Sequence, residues 1–342
     1  MADPKHFLRQ TVPFYERALR RRWTTFSLNL ALARPETLSE EQAAVLAELG
    51  RRDFYFFLTC ICGQRRLGPP PAGPGEPGGF HWNWCKRLED PEKPLMALVA
   101  RKLFKTTIQT QGLPLWRATR APESYDHVTI TDDKELGESL LQWMKIIIEK
   151  NPVYRRLYPR ILPGRPWTTR TAALLNRADT ARGPTFEIRT TRQAQAGRHV
   201  GGIGLDDLEN DKNCDSRNEQ QRLCEFIDMM WPTINGPLLT ISDTPYREFG
   251  FTSYVIRKWC VGATPDIDLL AQPLRGQVEL DPSGLCTNLD DGTYPFPEEY
   301  DDASFAALQK LVADPEVFAW QYMLDMSFRG EQGFQRDWIK YV

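Results

Sequence analysis

LMALVARKLFKTTI, residues 95–108, is the stretch on which the fold turns. Leu95 to Ala100 is an unbroken apolar run of the length of a buried strand. Arg101-Lys102-Leu103-Phe104 makes a basic turn, and Lys105-Thr106-Thr107 opens a helix behind it. A turn that feeds a helix aims backbone N–H groups, and the positive end of the helix dipole, at one spot, which suits phosphate oxygens. A lysine closing such a turn reaches β- and γ-phosphates, and the following threonine hydroxyl can ligate Mg²⁺. Ala100, Lys102, Leu103, Phe104, Lys105, Thr106 and Thr107 are therefore the candidate nucleotide-binding residues, with ATP and Mg²⁺ the implied cofactors. The loop has no glycine: Ala100 and Phe104 stand where glycine is usual, although glycine is the residue that tolerates positive φ. Taken alone, the segment also reads as an ordinary basic strand-to-helix turn.

A second stretch answers the first. Ile203-Gly204-Leu205-Asp206-Asp207 is an apolar strand ending in two carboxylates, and in parallel sheets ligands bind beyond the carboxyl ends of strands. Asp206 is the candidate to hold a Mg²⁺-bound water and Asp207 the candidate to orient or deprotonate the attacking water. The plainer alternative is an acidic turn, since LDDLEND is rich in turn and cap formers. The two segments lie about 100 residues apart with a strand–helix unit between them. That is the order of a P-loop ATPase with an inserted strand.

Around this pair the pattern alternates. VTI (128–130), VGGIGL (200–205) and PLLTIS (237–242) read as further strands. Thr131 is the expected N-cap of a helix that ends before Pro152, with Leu136, Leu140, Met144, Ile147 and Ile148 on one face. Ser216 with Glu219 forms a capping box before a helix that turns Leu223, Phe226, Ile227 and Met230 inward. Strands alternating with helices predict an α/β fold with a mostly parallel sheet covered on both faces. The first fifty residues read as helical, with a basic cluster in FYERALRRRW (14–23) that is either a solvated face or a phosphate-contacting patch. Ser39 to Gln42 fits a capping box, and Gly50 can end that helix. DFYFFLTCIC (53–62) fits a buried helix or a buried strand equally well, and GPPPAGPGEPGG (68–79) is expected to be a mobile surface loop.

Composition narrows the class. The 342 residues are 41% hydrophobic and 26% charged with a net charge of −2, ordinary for a globular protein and unlike a basic DNA coat. No apolar run is long enough to span a bilayer and no secretory leader is seen, which predicts a cytosolic protein. Seven cysteines, with Cys60 and Cys62 too close for a usual zinc pair, argue for buried thiols rather than disulfides or a metal site. His81, Trp82 and Trp84 could stack on adenine, though packing is the stronger reading for them, as it is for Tyr246 and Tyr254.

Several stretches resemble, in order, the large terminase subunits of tailed bacteriophages. DFYFFLTCICG (53–63) is similar to the segment before the phosphate loop, and HWNWCKRLEDPEKPLMALVARKLFKTT (81–107) to the nucleotide-binding entrance, where the family often has Arg-Gly-x-x-Lys-Thr and this chain has Lys102 for the glycine. AGRHVGGIGLDDLENDKNCDSRNEQQRL (196–223) resembles the acidic-strand region, TISDTPYREFGFTSYVIRKW (240–259) the motif that couples hydrolysis to movement, and FPEEY (296–300) with VFAWQYMLD (317–325) the closing segment. The resemblance implies a P-loop NTPase of the ASCE type: a helical extension (1–50), an ATPase core (51–262) and a small lid (263–342) with a helix near 303–313.

By the same resemblance Lys105 would clamp the β- and γ-phosphates. Thr106 and Asp206 would hold Mg²⁺, Asp207 would position the water, and Arg101 would sense the γ-phosphate. Thr244, with Ser242 and Asp243, would report phosphate state, and Arg189, Arg192 or Arg198 would act as arginine finger. It also implies a motor that moves double-stranded DNA into a procapsid, docked in the host cytoplasm on a portal protein. A small terminase subunit and a ring of five copies are its implied partners. The chain ends at RDWIKYV, about where the family's nuclease begins, so no nuclease activity is expected. A non-enzymatic assembly or DNA-docking module with a degenerate loop, or another P-loop translocase, are the rival readings.

Overall fold

A computed structural model describes residues 34–71, 78–178, 183–193, 200–210, 212–233, 239–246, 250–262, 265–281 and 284–328. The basic cluster at 18–22 in the segment 14–23, the centre of the Pro/Gly loop at 72–77 and Arg198 lie outside these residues. Helices flank one mixed, mostly parallel eight-stranded sheet of order β3-β4-β5-β2-β6-β7-β1-β8. Its strands are β1 (Leu95–Val99), β2 (His127–Ile130), β3 (Pro163–Trp167), β4 (Thr171–Leu174), β5 (Phe186–Arg189), β6 (Gly202–Asp206), β7 (Leu239–Asp243) and β8 (Asp268–Gln272). β1 runs parallel to β8, and β2 parallel to both β5 and β6, while β4 is antiparallel to β3 and β5. β7 stands between β1 and β6, the inserted strand that the order of motifs calls for.

The chain divides into two compact units. The first is Met1–Pro94, Thr106–Asp206 and Met230–Ile241. After a 3-10 turn at Pro35–Thr37, its described residues form α1 (Glu40–Arg52), whose start is the expected capping box: Ser39 Oγ accepts from the Gln42 amide and Gln42 Oε1 from the Ser39 amide. Gly50 does not end this helix; it lies inside it, where a Cβ would collide with Ile61 and the Tyr158 hydroxyl, and its carbonyl accepts from Trp116 Nε1 at 2.8 Å. The open choice at 53–62 resolves as helix: α2 (Phe54–Phe56), capped by Asp53, continues as a π turn over Phe57–Ile61. α3 (Phe80–Glu89) buries His81 and Trp84, and His81 Nδ1 accepts from the Gly68 amide at 2.9 Å, so both are packing residues.

A π turn over Thr106–Gly112 leads into α4 (Leu113–Arg120). The long helix α5 (Lys134–Lys150) is capped by Asp133, not Thr131: Asp133 Oδ1 takes the Glu135 and Leu136 amides, and Thr131 Oγ1 accepts only from the Asp133 amide, one step upstream. α6 (Pro152–Leu157) comes next. Trp84, Trp116, Tyr154, Tyr158, Phe54, Phe57 and Phe186 are the largest fully buried side chains of this unit's core.

The second unit is Leu95–Lys105, Asp207–Met229 and Ser242–Val342. It holds β1 and β8, most of α7 (Arg217–Met230), and α8 (Phe251–Val255), which continues as a π turn over Ile256–Cys260. At the start of α7 the Ser216 Oγ accepts from the Glu219 amide, one half of the expected capping box, while the Ser216 amide donates to the Asn213 carbonyl. An antiparallel hairpin of β9 (Gln277–Leu280) and β10 (Cys286–Leu289) is followed by α9 (Asp302–Leu311) and α10 (Pro315–Gln321). Six strands were not read from the sequence: β3, β4, β5, β8, β9 and β10.

Candidate nucleotide site

All five residues of β1 are buried, which makes the strand a rigid mount for the turn behind it. The strand's last contact is the Ala100 amide on the Gln272 carbonyl, and the Arg101 amide then donates to the Gln321 carbonyl. The Leu103 amide turns back to the Ala100 carbonyl while the Leu103 side chain is fully buried, so the turn is fastened at both ends. Between these anchors Lys102 has φ 73° and Phe104 has φ 61°. These are left-handed values that L residues adopt at a cost of roughly 1–2 kcal/mol each. Left-handed residues in a turn direct successive N–H groups to one side and form an anion-binding hollow. The glycine-free loop therefore keeps the backbone form that glycine would have given it, at two of the positions where glycine is usual. Phe104 is steadied by an edge-to-face contact with Phe296, ring centroids 6.4 Å apart.

Lys105 follows directly and is 8% exposed. Its Nζ donates to Asp207 Oδ1 and to Thr244 Oγ1, both at 2.7 Å. A buried ammonium needs such partners, because burying a charge without one costs several kcal/mol. Asp207 is itself left-handed, φ 45°, and its amide donates to the Ser242 carbonyl at 2.9 Å, which lays the end of β6 beside the end of β7. Thr244 is buried, and its amide donates to Asp243 Oδ1 at 2.8 Å. Burial pushes the Asp243 carboxyl well above the usual range; Asp207 and Glu209 push the same way and Lys105 opposes them. Its Oδ2 is buried with no hydrogen-bond partner.

The structure thus brings Lys105, Asp207 and Thr244 together. Arg101 is directed elsewhere, its Nη2 donating to the Tyr246 hydroxyl at 2.6 Å with the guanidinium 5.7 Å from the ring centroid. Lys102 is exposed.

In the first unit, Asp206 is fully buried and its Oδ1 accepts from Thr110 Oγ1 at 2.6 Å. Thr110 was not anticipated. Its signal was spacing, since it lies four residues past Thr106 on the same helical face. Gln109, next to it, donates from Nε2 to the Ile241 carbonyl and so pins the helix to β7. Thr106 and Thr107 are half-buried. A threonine hydroxyl and a carboxylate are hard oxygen donors of the kind Mg²⁺ takes, so Thr106 and Asp206 fit that ion chemically.

Glu209 in the second unit also went unread. It is fully buried, accepts from the Thr252 amide at the start of α8, and sits against Gly250, where any side chain would collide with its carboxylate. Of the candidate fingers, Arg189 is engaged with Glu187 at 2.7 Å and Arg192 is exposed.

No protein family and no curated protein matches the chain by sequence. Among solved structures it is similar to the ATPase domain of the large terminase of Thermus phage P74-26. The unmutated form is 13% identical with a TM-score of 0.44 over 69% of this chain and 90% of that one. A point mutant of it is 12% identical with a TM-score of 0.43 over 72% of this chain and 93% of that one. The large terminase of bacteriophage HK97 is 16% identical with a TM-score of 0.48 over 80% of this chain. This chain spans 54% of that protein's length. At such identities no residue role passes across, and the chemistry of this chain has to come from its own side chains. In structure, the chain is similar to phage large terminases over most of its length.

Proposed function

We propose that this chain is an ATP-hydrolysing motor that drives double-stranded DNA into a phage procapsid. One observation carries the proposal: the lysine that closes the loop after β1 and the carboxylate directly after β6 meet at 2.7 Å, with a threonine hydroxyl from the end of β7 on the same ammonium. Residues 102 apart in the chain make that contact, as a P-loop ATPase requires of its phosphate-binding and water-activating ends.

The roles rest on these contacts. Lys105 exchanges Asp207 and Thr244 for phosphate oxygens when ATP binds, trading one set of acceptors for another at little cost in burial. Asp207, released from the lysine, is free to orient the attacking water. Thr244 loses a donor in the same event, and β7 carries that change away from the site. Thr106 and Asp206 would hold Mg²⁺, with Thr110 fixing the Asp206 carboxylate; the ion, when bound, neutralises charge developing on the transferred phosphoryl group. Arg101 reaches the γ-phosphate side by leaving Tyr246. Arg189, Arg192 and Arg198 remain the arginine-finger candidates. Double-stranded DNA, a portal, a small subunit and a five-membered ring are what the resemblance of the sequence adds. Among the described residues no helix is long and apolar enough to cross a membrane.

The test is ATP hydrolysis by the wild type and by Lys105→Ala across a range of protein concentrations, with DNA and portal protein present. The expected loss is at least about 10³-fold, of the size that removing a charged phosphate clamp causes. A wild type no faster than the variant at every concentration would leave Lys105–Asp207 as a buried ion pair and the chain as a docking module.

A further inference from the structure

Apart from the nucleotide site, the second unit holds a pocket of about 540 Å³, formed by the β9–β10 hairpin, α9 and α10. Its buried wall includes Phe305 and Phe318, and its charged groups are Arg275, Asp290, Asp302 and Asp325, one cation against three carboxylates. Arg275 is held by Asp290 through two bonds of 2.7 Å and lies 4.5 Å over the Phe305 ring. Asp302, whose side chain is 89% exposed, faces outward beside it. The pocket thus already accepts one guanidinium in the way such a group prefers, flat on an aromatic face and forked onto a carboxylate. Acid remains around it. DDGTYPFPEEYDD (290–302) has six carboxylates and no base.

The rim is also apolar. Of the six large hydrophobic residues exposed among the described ones, Leu289, Leu311 and Phe328 lie in or next to the pocket wall, Leu311 at 76% exposure. An apolar patch ringed by carboxylates fits a peptide with arginines and aromatic residues together, since arginine stems lie along apolar surface while their heads reach acids. One stretch of this chain has that composition: FYERALRRRW (14–23) has Arg17, Arg20, Arg21 and Arg22 within six residues, beside Tyr15, Leu19 and Trp23 at four-residue spacing.

We infer that the pocket beside α9 and α10 docks the arginine-rich segment 14–23 of a second copy of this chain. The assignment does not depend on ATP hydrolysis. It is tested by sedimentation velocity of the full chain over a concentration series, alone and as mixed variants. The wild type is expected to self-associate, more weakly at 0.5 M than at 0.05 M salt, roughly as screened charge pairs do. Arg20→Glu/Arg21→Glu/Arg22→Glu and Asp302→Arg/Leu311→Arg are each expected to move the association midpoint at least about tenfold upward, the scale of losing one interfacial contact cluster. An equimolar mixture of the two is expected to associate again, because the acidic segment of one now meets a basic pocket on the other.

A labelled peptide of residues 12–25, added to the Arg→Glu chain, is expected to bind it and not the pocket variant. Association indifferent to both sets of substitutions, or a mixture that stays apart, overturns the inference. So does a monomeric wild type in which the peptide binds only once the chain's own arginines are reversed, since that places the segment in its own chain. A scrambled peptide binding as well as the native one overturns it too.

Discussion

The turn at 100–105 and the starts of α1 and α9 are built on opposite terms. At Ser39 and at Asp301 side chain and backbone agree: each cap accepts from the amide three residues on, and the residue there bonds back. At Lys102 and Phe104 the backbone is left-handed under residues that resist it, and at Asp207 it is left-handed under a residue type that tolerates it better. Asp207 belongs to the Lys105 cluster, and Lys102 and Phe104 lie in the turn leading to it. Local disagreement of this kind survives only where surrounding structure holds it, and it gathers at functional sites. Here the anchors are visible in the Gln272, Gln321 and Ser242 carbonyls, which fix the backbone on either side.

The most severe way to break the contrast is at its chemical end. Asp207→Asn keeps the size and one acceptor for Lys105 but removes the charge. ATP turnover is expected to fall by roughly 10²–10⁴-fold, the range for a positioned base, while nucleotide binding is retained. Loss of binding in an equilibrium titration, with turnover per bound nucleotide unchanged, would move the water-activating role elsewhere, with Glu209 the nearest unassigned carboxylate in sequence.

That site is half legible in the sequence. β1, β2, β6 and β7 were readable because each is a short apolar run closed by a polar residue, and Lys105, Asp206 and Asp207 stand at the ends of two of them. The left-handed turn was not readable, because Lys102 and Phe104 carry no preference for it; only the tertiary anchors impose it. Thr110 and Glu209 were hidden for a related reason: a hydroxyl inside a helix and an acid in a turn-rich run have many bland roles, and only burial separates this one. The strands β3, β4 and β5 escaped for local reasons. Pro163 and Pro166 forbid ladder bonds except at an edge, which is where β3 lies, and β4 and β5 are four residues each, too short for alternation to show. Thr131 and Asp133 could both cap α5, and the carboxylate, which takes two amides, won.

The amino end of β2 offers a buried group with the opposite sign of proton preference from Asp243. Burial, and then the nearby Arg117, hold the His127 imidazole down to about 3, and its Nδ1 lies 3.0 Å from the Tyr125 hydroxyl. As pH falls below about 6.5 the unfolded chain takes up a proton that the folded chain refuses. His127 therefore removes stability on acidification, by up to about 1.4 kcal/mol per pH unit until its folded value is reached. Urea unfolding at pH 7, 6, 5 and 4 should show a shallower decline in His127→Gln than in the wild type. Parallel declines would mean that the imidazole is protonated in the fold.

Gly50 tests packing without chemistry. Gly50→Ala places a methyl against the Ile61 side chain and the Tyr158 hydroxyl, and a cost of about 1–3 kcal/mol is expected from overpacking, despite the better helix propensity of alanine. A rise in Tm would show that α1 can shift outward and that the glycine is not held by its neighbours.

The smallest effects sharpen the opening contrast most, because they differ in sign. Ser39→Ala removes a cap acceptor and is expected to cost about 1 kcal/mol. Lys102→Gly removes an exposed side chain from a left-handed residue. Relief of roughly 1–2 kcal/mol is set against about 0.5–1 kcal/mol of added freedom in the unfolded chain, so the variant should equal or exceed the wild type in stability. Denaturant midpoints of the two variants at equal m-value give the comparison directly. If Lys102→Gly loses as much as Ser39→Ala, the lysine stem or its ammonium holds the turn together, and the left-handed backbone there is a consequence of that contact rather than a conformation imposed by the anchors at Gln272 and Gln321.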